Sequence, residues 1–128
     1  MFNPDPAAYL PHRYPFLMLD RLLALEPGVS ACAERQLTGT SGNFPQVCLI
    51  ECIAQLGGII AIQEEEEGGF LASINSAEFG ELPCAGDILT ISAKIVASFG
   101  RLFLMEGEVD CGGRMLVRAK LSLGVGKL

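Results

Sequence analysis

The run Phe44 to Gln63, FPQVCLIECIAQLGGIIAIQ, constrains this chain more than any other stretch, because wound as a helix it is apolar on nearly every face. A helix without a broad polar face must be enclosed by protein or by lipid. Its length of about twenty residues would cross a bilayer, but Glu51, Gln55 and the pair Gly57 and Gly58 fit lipid poorly. A helix at the centre of a soluble fold is the expectation. Pro45 is expected at the first helical position, and Glu64 to Glu67 followed by Gly68 and Gly69 mark the exit.

Glu51 is the one carboxylate inside that helix. It lies four residues before Gln55 and shares a stripe with Cys48 and Gly58, so a polar notch runs along an otherwise apolar cylinder. Taking a lone carboxylate out of water costs several kcal/mol, so it has to be paired, protonated or put to use. Two readings follow: a structural Glu bonded to a neighbouring strand or subunit, or a group that does chemistry.

With 128 residues the chain is long enough for one domain with a real core, and a single domain over 1–128 is expected. Half the residues are hydrophobic, which excludes disorder. A formal net charge of -6 and the lack of any Lys/Arg cluster argue against nucleic acid as a partner. The opening residues have no basic stretch followed by an apolar core, so a cytoplasmic protein without membrane attachment is expected. The five cysteines sit mostly in apolar segments, as reduced thiols would. With a single His they give no zinc spacing, so no metal is expected.

Asn3, Pro4 and Asp5 can cap a short helix to about Leu10. Residues 17–26 have the look of a strand ending at Pro27-Gly28, with Val29 to Thr38 returning as its partner. Small residues 39–43 lead into the long helix. Beyond it, Phe70 to Ile74 is a short strand candidate, followed by an irregular segment through Asp87. From Asp87 to Ala97 the alternation is clean, with Leu89, Ile91, Ala93, Ile95 and Ala97 on one face and Thr90, Ser92 and Lys94 on the other, as in a half-solvated antiparallel sheet. Residues 101–111 and 114–125 form a hairpin across Gly112-Gly113, with Phe103, Met105 and Val109 inward on one arm and Met115, Val117, Ala119, Leu121 and Leu123 on the other. The sum is α+β, one layer of sheet around one helix. That helix looks too apolar for one short sheet, and a second copy is expected beside it. Gly57 and Gly58 predict close packing, helix against helix across a dimer being one arrangement. Asp20 and Arg21 read as an ion pair.

Three stretches together carry a resemblance: LeuProHisArgTyrProPheLeuMetLeuAspArg at 10–21, PheProGlnValCysLeuIleGluCysIleAlaGlnLeuGlyGly at 44–58, and ProCysAlaGlyAsp at 83–87. In that order they resemble the β-hydroxyacyl-acyl carrier protein dehydratases of the FabZ/FabA type. The resemblance implies the hotdog fold, a long central helix wrapped by an antiparallel sheet, working as a homodimer or an assembly of dimers. It implies removal of water from a 3-hydroxyacyl thioester on acyl carrier protein, or on coenzyme A, with no cofactor. In the family a His takes the proton beside the carbonyl, a Glu on the central helix handles the departing hydroxyl, and backbone N–H groups near the helix start polarise the thioester oxygen.

Carried over residue by residue, Glu51 matches the catalytic Glu within IleGlu-x-x-AlaGln, and Gln55 and Gly58 fall on matching positions. Gln46 and Val47 at the helix start stand where thioester-oxygen donors are expected, with Asn43 as a hydrogen-bonding group beside them. The His does not carry over. The family has it in a His-Phe-Pro-Gly segment, whereas this chain reads GlyAsnPhePro at 42–45. Counting back from Glu51, Phe44-Pro45 matches the Pro-bearing helix opening and the His segment is deleted. Aligned the other way, Asn43 replaces the His and the spacing to Glu51 is too short. The only imidazole, His12, belongs to the lead-in before the first strand. Three functions compete: a dehydratase of altered mechanism, a hotdog thioesterase using Glu51 alone, and a non-catalytic acyl-binding subunit that pairs with an active homologue.

Overall fold

The computed structural model describes residues 2–10, 17–37, 44–62 and 67–127. One helix, α1 (Gln46–Ala61), packs on a six-stranded sheet made of β1 (Arg21–Glu26), β2 (Ser30–Gln36), β3 (Glu67–Phe79), β4 (Ile88–Phe99), β5 (Leu102–Cys111) and β6 (Arg114–Lys127). The strand order is β1-β2-β4-β5-β6-β3. Every neighbouring pair is antiparallel. This is the α+β hotdog arrangement that the resemblance implied.

The alternating strand behaves as its pattern demands: Leu89, Ile91 and Ala93 are buried while Ser92 and Lys94 are exposed. The β5–β6 hairpin turns on Gly112 and Gly113, whose φ values of 57° and 84° are those a two-residue primed turn requires. One core assignment moves. Register slips between Val109 and Asp110, which pair with Val117 and Met115, so Leu116 is the extra residue of a bulge. Leu116 is fully buried beside Val117 and Met115 is only half-buried.

Three other expectations change. Pro45 is the residue before the first helical turn, with extended ψ of 138°, and Cys48 N–H donates to its carbonyl at 2.9 Å. The third strand is not five residues but thirteen, Glu67–Phe79, running along β6 at the sheet edge. Register shifts at Leu71/Ser73 and Ile74/Ser76 break its alternation, which hid its length. Finally, α1 from Leu49 onward is largely covered within one chain, while Val47 in its first turn is exposed. Leu49, Cys52, Ile53, Leu56 and Ile60 are fully buried. The sheet covers one side, while Leu10, Leu19 and the partly buried Phe2, Leu17 and Met18 join the same core. The amino-terminal segment is held by Leu22 N–H donating to Pro4 O at 2.8 Å and has only a 3-10 turn at Pro6–Ala8, capped by Asp5. Large apolar side chains left in solvent include Phe70, Leu71, Ile74 and Phe79 of β3, besides Val47 of α1, Leu82 and Phe99.

Packing of α1 on the sheet is close. A Cβ on Gly57 would collide with Met105 Sδ and lie 2.6 Å from Leu123 Cδ1, so this glycine serves helix-on-sheet contact, not a helix-on-helix crossing. Gly107 of β5 does the same from the other side, under Ile53. Asp20 and Arg21 do not pair with each other: Arg21 bonds Glu34 at 2.9 Å and Asp20 Oδ2 accepts from Gln36 N–H at 2.7 Å.

Candidate active site

Glu51 sits in the second turn of α1 at half exposure. Gln55, one turn on, is 3% exposed. Its Nε2 donates to Glu51 Oε1 at 3.0 Å, and its Oε1 accepts the N–H of Met18 at 2.8 Å. A buried amide left without partners costs about 1–3 kcal/mol, so this double engagement fixes the Gln55 rotamer and with it one oxygen of Glu51. Met18 belongs to the lead-in that the resemblance picked out, and its carbonyl lies 3.8 Å from Cys52 Sγ. The LeuMetLeuAsp lead-in and the helix motif are thus parts of one hydrogen-bonded unit.

Beside Glu51 a cleft of about 200 Å³ opens between α1 and the sheet edge. Its helix wall is Glu51, Ala54, Gln55 and Gly58, the i, i+3, i+4, i+7 stripe of one face. Its far wall is Gly69, Phe70 and Leu71 of β3, and Leu10 and Leu123 also line it. The carboxylate and the amide are the polar side chains in an otherwise apolar slot, an arrangement suited to a thioester with an alkyl tail. A larger cavity of about 610 Å³ lies on the other face of the sheet, against Cys32, Ser92, Lys94, Glu106, Glu108 and Arg118. Its charges pair among themselves, Arg118 with Glu108 at 3.2 Å and Lys94 with Glu106 at 3.8 Å. It is a solvated sheet face.

Cys52 is no nucleophile, because burial pushes its thiol up to about 12, only partly opposed by the nearby Arg35 cation. Arg35 itself clamps the helix start. It donates to Leu17 O at 3.3 Å and its guanidinium lies 5.0 Å from the centre of the Phe44 ring. Among the described residues no group of three His, Cys, Asp or Glu side chains could hold a metal ion.

Of the residues singled out in the sequence, the structure brings Glu51, Gln55 and Gly58 to one cleft. Gln46 and Val47 open the helix but do not line that cleft, and Val47 is 65% exposed. Asn43 and His12 lie outside the described residues. Sequence reasoning missed Leu10, Gly69, Phe70 and Leu71. Gly69 carried a signal that was read as a helix exit: a Cβ there would stand 3.3 Å from Gly58 Cα, so glycine lets β3 approach the helix backbone.

No family model matches the chain. Among characterised proteins, 3-hydroxyacyl-acyl-carrier-protein dehydratase FabZ of Geobacillus thermodenitrificans is 30% identical over 132 residues, covering 93% of this chain and 91% of the relative. That of Syntrophotalea carbinolica is 32% identical over 131 residues, covering 91% and 89%. The chain belongs to the FabZ dehydratase family. Solved structures agree on the fold. The dehydratase heterocomplex ApeI:P from Xenorhabdus doucetiae superposes with a TM-score of 0.77 at 17% identity, covering 99% of this chain and 93% of that one. A hypothetical thioesterase with coenzyme A from Streptococcus pneumoniae gives 0.69 at 17% identity, covering 83% and 84%. Within the FabZ family, the IleGlu-x-x-AlaGln stretch of this chain is the part that builds the cleft.

Proposed function

We propose that this FabZ-family chain acts on 3-hydroxyacyl thioesters, carried on acyl carrier protein or coenzyme A, as a dehydratase-like enzyme of acyl metabolism with an altered acid-base arrangement. The observation that carries the proposal is Glu51, oriented by Gln55 at the mouth of an apolar cleft. Elimination breaks the C2–H and C3–O bonds of the substrate, forms the 2,3 double bond and releases water. A base must take the C2 proton and an acid must protonate the hydroxyl, each group being worth typically 10²–10⁴-fold. No His stands in the Asn43 to Glu51 stretch, so Glu51 does both: one oxygen takes the C2 proton and the carboxylic acid so formed returns it to the leaving hydroxyl. No cofactor enters this balance. Gln46 and Val47 supply N–H donors to the thioester oxygen, Asn43 a hydrogen bond near the carbonyl, and Gly58 room for the chain.

The working unit in this proposal is a cytoplasmic homodimer; the alternative is a heteromer in which an active homologue supplies a separate base and Glu51 serves only the leaving hydroxyl. Supporting it, the long edge strand β3 carries Phe70, Leu71, Ile74 and Phe79, which are 37% to 60% exposed, and the same strand forms one wall of the cleft. The test is enoyl formation from 3-hydroxybutyryl-coenzyme A by purified protein. Slow elimination that disappears in Glu51→Gln is expected. Thiol release without enoyl product would make the chain a thioesterase, and turnover surviving Glu51→Gln would remove Glu51 from the mechanism.

A further inference from the structure

Arg35 is out of place on its strand. Along β2 and just past it, Ala31, Ala33, Arg35 and Leu37 alternate onto one face of the sheet, and Ala31, Ala33 and Leu37 are buried in the core. An arginine in such a row is rare unless it has a task, and none of the ion pairs among the described residues includes it. Its Nε is buried without an acceptor. What the guanidinium does reach is the segment that enters β1. Nη1 donates to Leu17 O at 3.3 Å and lies 3.9 Å from Met18 Sδ, while the centre of the Phe44 ring is 5.0 Å from the guanidinium carbon.

Leu17 O belongs to the same peptide group as Met18 N–H. A trans peptide is planar, with its oxygen and its hydrogen on opposite sides, so a group that fixes the oxygen also aims the hydrogen. Met18 N–H donates to Gln55 Oε1 at 2.8 Å, and Gln55 Nε2 donates to Glu51 Oε1 at 3.0 Å. Four groups therefore stand in one line of donors and acceptors: the Arg35 cation, the Leu17–Met18 peptide, the Gln55 amide and the Glu51 carboxylate. Both amides have the oxygen toward the cation and the N–H toward the anion, the orientation in which successive hydrogen bonds polarise and strengthen one another. The rest of the lead-in is tied to β2 independently. Asp20 N–H donates to Glu34 O at 2.9 Å and Gln36 N–H to Asp20 Oδ2 at 2.7 Å, so loss of Arg35 frees the peptide at Met18 and leaves these ties in place.

We infer that Arg35 is a positioning residue for the elimination: through the Leu17–Met18 peptide and Gln55 it fixes the direction in which Glu51 presents its carboxylate to the cleft. The inference rests on the thioester function proposed above and adds to it a residue from another element. Arg35 does not line the cleft, so it acts on rate and not on substrate binding.

The experiment is the kinetics of 3-hydroxybutyryl-coenzyme A elimination by the full chain as wild type, Arg35→Met, Gln55→Leu and the double variant, with amide hydrogen exchange at Met18 and thermal unfolding of each. Methionine keeps an apolar stem and removes every donor. In Arg35→Met, kcat is expected to fall about tenfold, as slight misplacement of a catalytic group makes it fall, with KM changed by less than about twofold and faster exchange of Met18 N–H. In the Gln55→Leu background, where the line is already cut, Arg35→Met should lower kcat by less than about twofold. Arg35→Lys keeps a cation able to reach one carbonyl but lacks the planar fork; its kcat should fall between those of the wild type and Arg35→Met, and it replaces the methionine variant in the comparison if that one does not fold. An equal loss of kcat in both backgrounds makes Arg35 a general prop of the core and overturns the inference. So does a loss confined to KM, or Met18 exchange unchanged in a folded Arg35 variant, and each of these leaves the thioester function standing. No elimination by the wild type overturns that function and the role of Arg35 with it.

Discussion

At the scale of single residues, the site depends on one amide. Gln55 joins Met18 N–H to Glu51 Oε1, so Gln55→Leu removes the acceptor of one bond and the donor of the other inside a buried site. The expected outcome is a loss of about 1–3 kcal/mol in denaturant unfolding together with slower turnover, whereas Glu51→Gln should keep the fold and lose turnover. The cysteines divide by burial. Cys84 is exposed and Cys52 buried, so iodoacetamide followed by mass spectrometry should label Cys84 well before Cys52. The raised Cys52 thiol also sets a pH dependence. A group that holds its proton more tightly when folded contributes stability that is complete below its unfolded value, 9.0, and is lost as pH rises towards about 12. Stability should therefore fall above pH 9 with a slope of up to about 1.4 kcal/mol per unit, and Cys52→Ala should flatten that slope. An equal slope in the variant would assign it to other groups.

At the scale of elements, the two adjacent glycines of α1 predict opposite outcomes. Gly57→Ala drives a methyl into Met105 and Leu123 and should cost about 1–3 kcal/mol as an overpacked core does. Gly58→Ala should gain about 0.5–1 kcal/mol from helix propensity. Thermal unfolding of the two variants side by side checks the difference in sign. Sequence alone pointed to close packing at both positions but not to its partner, because a glycine reports that something is near and not what it is. Other elements were legible to different degrees for physical reasons. The β4 strand and the β5–β6 hairpin were readable because a half-buried strand writes its two faces in alternation. By contrast β3 was cut short to Phe70–Ile74, since two bulges scramble its alternation and polar Ser73, Asn75 and Ser76 interrupt it. Met115 was placed inward for the same reason, one bulge having moved Leu116 into its place. Within the site, Glu51, Gln55 and Gly58 share a helical stripe and were visible as such. Phe70, Leu71 and Leu10 come from distant segments and were not, since only tertiary packing assembles that wall.

At the scale of the whole molecule, the question is where the exposed apolar surface goes. An edge strand of thirteen residues, bearing Phe70, Ile74 and Phe79 in solvent, presents unpaired backbone groups and apolar side chains together. Natural proteins blunt such edges or pair them, and among the described residues no strand lies on the outer side of β3. Pairing of β3 with the β3 of a second copy would satisfy both and extend the antiparallel sheet across a two-fold axis. It would also bring the second copy against the cleft, because Gly69, Phe70 and Leu71 form the cleft's outer wall. Sedimentation equilibrium at micromolar concentration is expected to show a dimer for the wild type. In Ile74→Lys a charge on the edge should oppose pairing and yield a folded monomer, with circular dichroism unchanged. Because the wall of the cleft rides on the same strand, thioester binding should weaken in that monomer although Ile74 does not line the cleft. A wild type that sediments as a folded monomer and still binds thioester would show that β3 completes the site without a partner.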